Sequence, residues 1–97
     1  MIQVLKLSET GSILGLRELA KNLSSNIRNA ILSETNIVLD FENVESISSS
    51  FADELIAKVL VEVGKDTFLR NVKIKNANNF IKTIINSSIN ERLNEIK

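Results

Sequence analysis

The chain has 97 residues, with 12 basic and 12 acidic side chains and no histidine, cysteine, tryptophan or proline. A neutral, 43% hydrophobic chain of this length reads as one globular domain over 1–97, not as a disordered segment. The missing thiols and imidazoles exclude disulfides, the usual structural zinc sites and every Ser-His or Cys-His mechanism, so neither an enzyme nor a cofactor is expected.

Two further classes fall on the same grounds. General nucleic-acid binding needs a basic surface and, for single strands, aromatic stacking platforms. This chain has no excess positive charge and only four aromatics, all Phe. No apolar run approaches the ~20 residues of a membrane span, and the N-terminus lacks a secretory signal. A cytoplasmic location without membrane contact is the expectation.

Ile2 to Leu7 alternates weakly and carries the β-branched content of a short strand. Thr10-Gly11-Ser12 then reads as a turn. From Leu16 the period changes: Leu16, Leu19, Ala20, Leu23, Ile27 and Ile31 fall three and four apart, on one helical face. Ile37-Val38-Leu39-Asp40-Phe41 is almost unbroken apolar sequence, the pattern of a strand covered on both faces.

After a polar turn, Phe51, Leu55, Ile56, Val59, Leu60 and Val63 give a second helix, with Gly64 placed to end it at positive φ. Val72-Lys73-Ile74-Lys75 is a third strand whose outward lysines suit a sheet edge. Asn78 or Asn79 can cap a last helix carrying Phe80, Ile81, Ile84, Ile85, Ser88 or Ile89, Leu93 and Ile96. The order is βαβαβα, an α/β domain with a small, mostly parallel sheet. An additional strand fits within Ser8 to Leu14 or within Asp66 to Arg70.

Chemistry concentrates where the second strand ends. Ser48-Ser49-Ser50 stands at the start of a helix, in the region beyond strand ends where open α/β sheets place their sites. Serines there can cap the helix, and Ser50-Phe51-Ala52-Asp53 has the form of a capping box with Asp in place of Glu. A phosphate on one of them would add about −1.5 to −2 charges, which Asp53 and Glu54 would oppose. Asp40, Glu42 and Glu45 are candidates for a divalent cation, set against Asp40 simply accepting N–H bonds from its own loop.

Leu39-Asp40-Phe41, followed by Ser48-Ser49-Ser50-Phe51-Ala52-Asp53-Glu54-Leu55, resembles the STAS-like domain family of unknown function. That family is related to the STAS domains of bacterial anti-sigma-factor antagonists. The antagonist motif has the form Asp-Ser-Ser/Thr-Gly-Leu-Gly, its first serine being the phosphoacceptor. On that resemblance Ser49 falls on the phosphoacceptor and Ser50 on the residue after it. Ser48 replaces the aspartate, while Phe51 and Asp53 replace the two glycines.

The resemblance implies a prokaryotic signalling module that binds a protein, its partner a histidine-kinase-like ATPase of the anti-sigma-factor type. Contacts are then expected from Ser48, Ser50, Phe51, Asp53 and Glu54, with release on phosphorylation of Ser49. A constitutive adaptor of the same fold, and a ligand-binding or Mg-dependent protein using Asp40, Glu42 and Glu45, are the alternatives.

Overall fold

The computed structural model describes residues 1–95. Strand β1 (Ile2–Lys6) leads through a 3-10 turn (Leu7–Glu9) to the two-residue strand β2 (Ile13–Leu14) and helix α1 (Arg17–Leu32). Strands β3 (Asn36–Asp40) and β4 (Ser46–Ile47) come next. A helical run then comprises α2 (Ser49–Ala52), a π-helical turn (Asp53–Ala57) and α3 (Lys58–Val63). Helix α4 (Lys65–Asn71), strand β5 (Val72–Lys75) and helix α5 (Asn79–Glu95) complete the described chain.

The main sheet is parallel, in the order β1-β3-β5. Its register runs from Ile2↔Asn36 to Lys6↔Asp40 on one side of β3 and from Ile37↔Val72 to Asp40↔Lys75 on the other. Parallel neighbours need long crossovers, and the intervening helices supply them. The edge position expected for the lysine-bearing strand is the one β5 occupies.

β3 is not covered on both faces, contrary to its apolar run. Ile37 and Leu39 are wholly buried, whereas Val38 is half-buried between exposed Val4 and Lys73 on the other face. With three strands, the core lies on one side of the sheet. The opposite face carries Ile2 and Val4 among Lys6, Lys73 and Lys75.

The additional strand expected within Ser8 to Leu14 is β2, which pairs in parallel with β4 through Ile13↔Ser46 and Leu14↔Ile47. The one considered within Asp66 to Arg70 is instead part of α4. Gly64 explains the difference. Its φ of 94° ends α3, where its N–H donates to the Leu60 carbonyl at 2.9 Å, and its own carbonyl accepts from Phe68 N–H at 3.0 Å to open α4. A positive φ of this kind is cheap only for glycine. Phe68 then enters the core with Phe41 and Phe51, all three essentially inaccessible.

Two residues assigned to apolar faces point outward: Leu16 is 70% and Phe80 53% exposed. Ser24 is buried in place of an apolar side chain, which its hydrogen bonds make affordable. It donates to the Lys21 carbonyl at 2.8 Å and accepts from Arg28 Nη1, whose guanidinium also grips Glu62 at 2.9 and 3.1 Å. In α5, Ser88 rather than Ile89 is the fully buried residue, and Ile96 lies outside the described residues. No described helix is long and apolar enough to cross a membrane.

Candidate functional site

The β2–β4 ladder determines where the serines sit. Glu45 N–H donates to the Ser12 carbonyl at 2.7 Å and Ser48 N–H to the Leu14 carbonyl at 2.9 Å, which ties the serine loop to the residues just before α1. Ser48 completes the link, its hydroxyl donating to the Gly15 carbonyl at 2.8 Å and accepting from Phe51 N–H at 3.0 Å. Ser48 is therefore the helix cap, in place of the expected Ser50. The capping box fails because the cap is two residues early, leaving Phe51 where an acidic side chain would reach back.

Ser49 and Ser50 are exposed beyond this cap. They line a cleft of about 290 Å³ together with Arg17 from α1, Asp53, and Ser88, Glu91, Arg92 and Glu95 from α5. Ser88 closes its floor, donating to the Ser49 carbonyl at the outer limit of a hydrogen bond, 3.5 Å. At the far end of the same loop, Asn78 caps α5 by accepting from Ile81 N–H at 2.8 Å, and donates to the Glu45 carbonyl at 3.0 Å.

Asp53 is the electrostatic centre. Arg92 holds it with a two-pronged grip, Nε to Oδ1 at 2.7 Å and Nη2 to Oδ2 at 2.8 Å, and Arg17 Nη1 adds a third bond at 2.9 Å. Parallel N–H bonds of this type are the strong form of an ion pair. The hydrogen bond from Arg92, helped by that from Arg17, outweighs partial burial and brings the Asp53 carboxyl down to about 2. The same bond raises Arg92, and hydrogen bonds to Asp53 and Glu54 raise Arg17.

Glu54 is buried beside it. Burial alone pushes its carboxyl upward, but Arg17 Nη1 at 3.0 Å and Lys58 Nζ at 3.2 Å reverse that and leave it lowered. Both carboxylates sit in the π-helical turn, a rare local geometry that recurs at functional positions. They lie where α1, α2 and α5 meet.

Of the contact residues read from the sequence, Phe51 and Glu54 are withdrawn from any surface. Phe51 packs in the core and Glu54 is 4% exposed. Apolar bulk after the serines draws the chain inward, and Glu54 follows because two cations neutralise it. Ser48, spent on its cap, retains partial exposure, whereas the exposed Ser49 and Ser50 side chains have no hydrogen-bond partner among the described residues.

The acidic set at the end of β3 does not assemble. Asp40 Oδ1 accepts from Glu42 N–H and from Asn76 Nδ2, both at 2.9 Å, and these bonds, the one from Asn76 first, lower its carboxyl. Glu42 and Glu45 point to solvent. Among the described residues, no three acidic side chains are spaced to hold a metal ion.

The sequence leaves open an anion contact for Arg17 near the start of α1, against a solvated charge on a polar face, and pairs neither Arg17 nor Arg92 with Asp53. Their distances from Asp53 along the chain, 36 and 39 residues, give no local signal. Exposed Ile13 and Leu16 flank the serine loop, at 69% and 70% exposure, and neither stands out before β2 is known to pair with β4.

The model of the family described as "STAS-like domain of unknown function (DUF4325)" matches residues 20–82. The chain belongs to this family. The matched span holds Ser48 to Glu54 entire, while Arg17 and Arg92 fall outside it. No curated protein and no solved structure matches the chain.

Proposed function

We propose that this STAS-like domain is a protein-binding regulatory module whose docking surface surrounds the serine loop, with Ser49 as its phosphorylation switch. The observation that carries the reading is the placing of Ser49. Among the described residues its side chain has no hydrogen-bond partner, it is exposed in the lining of the cleft, and the outward-facing Ile13 and Leu16 belong to the segment tied to Ser46 and Ser48. Exposed aliphatic side chains beside a polar, charged recess suit a protein surface better than a small ligand.

A phosphate on Ser49 adds close to two negative charges at the centre of that surface, which would desolvate poorly against a docked partner. Capture by the unmodified form and release of the modified form follow. The resemblance to anti-sigma-factor antagonists supports a histidine-kinase-like ATPase as the partner, one that transfers the phosphate itself. On this reading the chain acts by binding and supplies no catalytic group.

The test is capture from native-host lysate with three baits: wild type, Ser49→Asp and Ser49→Ala. An ATPase retained by wild type and Ser49→Ala and lost with Ser49→Asp is the expected result. Equal capture by all three would leave a constitutive adaptor whose serine loop only begins a helix. A thermal shift with Mg²⁺ or nucleotide in the isolated domain would favour ligand binding instead.

A further inference from the structure

Resting on the assignment of Ser49 as the modified residue, we propose that phosphorylation at Ser49 is read inside the domain by Arg92, which moves its grip from Asp53 to the phosphate and so resets the junction of α1, α2 and α5. The geometry begins with spacing. Ser49 and Asp53 are four residues apart at the start of one helical run, so they share a face. Both line the cleft that Arg17 and Arg92 also line. A phosphoryl group on the Ser49 hydroxyl therefore projects into a recess already holding two guanidiniums.

The modification forms one Oγ–P bond and breaks the bond between the γ-phosphorus of ATP and its bridging oxygen, releasing ADP and the hydroxyl proton. The new dianion then competes with Asp53 for the same cations. Planar guanidinium forks serve phosphate as well as carboxylate, and the dianion carries the larger charge. Arg17 is the natural holder of Asp53 once Arg92 turns, since it already bonds both Asp53 and Glu54.

The opposing groups are known. Glu91 and Glu95 line the cleft from α5, buried Glu54 is bonded by Arg17, and Asp53 itself repels the phosphate. Arg92 also stands 4.0 Å from Glu95, a contact loose enough to give way. Ser88 links the Ser49 backbone to α5, so a shift of Arg92 is transmitted along the helix that bears both residues.

The experiment installs phosphoserine at position 49 by genetic incorporation, with no kinase involved, and follows its second ionisation by phosphorus NMR in folded protein and in concentrated urea. In urea the value should fall near 6. Folded protein should titrate at least about half a unit lower, the direction imposed by a nearby cation. Arg92→Gln should return it to the urea value, and Asp53→Asn, which frees both arginines, should lower it further.

A folded value equal to or above that in urea would show that the carboxylates dominate, and would overturn the proposal. So would a lowering that survives Arg92→Gln in a variant with wild-type circular dichroism. If Arg92→Gln does not fold, Asp53→Asn decides: a value no lower than in the parent phosphoprotein overturns the transfer. Because the phosphate is installed synthetically, failure here leaves the Ser49 assignment standing. Phosphate missing from Ser49 in protein taken from its own cells would remove that assignment and leave the NMR result intact.

Discussion

Two acidic turns follow the paired strands of this domain, and they behave differently. Asp40 at the end of β3 is satisfied by neutral donors, Glu42 N–H from its own turn and the Asn76 amide from the end of β5. Asp53, after β4, is satisfied by side chains from two distant helices. The first carboxylate shapes a turn. The second joins three helices and stands beside exposed serines in a cleft. What separates a structural carboxylate from a candidate site here is the charge of its partners: neutral N–H donors hold Asp40, and two guanidiniums hold Asp53.

The contrast can be broken most forcefully at Phe51. If the serine loop is anchored by the core, Phe51→Ala should cost about 3–5 kcal/mol, as large-to-small changes of a buried aromatic do. Urea denaturation measures it. A loss below about 1 kcal/mol would mean that the loop is not held by this side chain.

The Asp53 cluster comes next. Asp53→Asn should cost about 1–2 kcal/mol, between the values for exposed and buried pairs, because Arg92 and Arg17 lose the charge and one of the two acceptor oxygens they share. Asp40→Asn should leave the urea midpoint essentially unmoved. Equal effects at the two positions would erase the distinction drawn between them.

Ser48→Ala should cost about 1 kcal/mol, the usual value of a helix cap. Ser49→Ala and Ser50→Ala should fall within about 0.5 kcal/mol of wild type, as exposed substitutions do. The three variants separate the capping hydroxyl from the two free ones. A larger loss at Ser50 would restore it as the cap.

Acid sharpens the comparison at smaller scale. The Asp53 carboxyl is depressed to about 2 from an ordinary value of 3.8, so its contribution is complete above about pH 4. Below that the unfolded chain takes up the proton first, and the contribution is lost as pH falls through 2. The slope of stability against pH between 4 and 2 should therefore be shallower in Asp53→Asn than in wild type.

Much of the fold was legible because local pattern and tertiary demand agree. The 3.6-residue periodicity of α1 and of the run from Ser49 to Val63, and the lysine alternation of β5, each matched the environment they found. The half-exposed face of β3 is not legible in its sequence, for a physical reason. An apolar run records that a strand lacks charge, and a three-stranded sheet can leave Val38 half-exposed without any change in sequence. Asp66 to Arg70 became helical because Gly64 both ends one helix and opens the next.

The candidate site was legible only in its local part. Ser48 to Ser50 announced a helix start, and the family resemblance marked Ser49. Which serine caps depends on a two-residue strand pairing across 33 positions, Ile13 with Ser46. No propensity or spacing rule encodes that contact. Arg17 and Arg92 likewise look like solvated helix charges until the helices that bear them are placed around Asp53.

The most direct test of the switch is to isolate the protein from its own cells in partner-bound and free fractions, and map phosphate by peptide mass spectrometry. Phosphate on Ser49 in the free fraction and its absence from the bound fraction is the predicted result. Equal occupancy of Ser49 in both fractions, or phosphate carried on Ser48 instead, would contradict it.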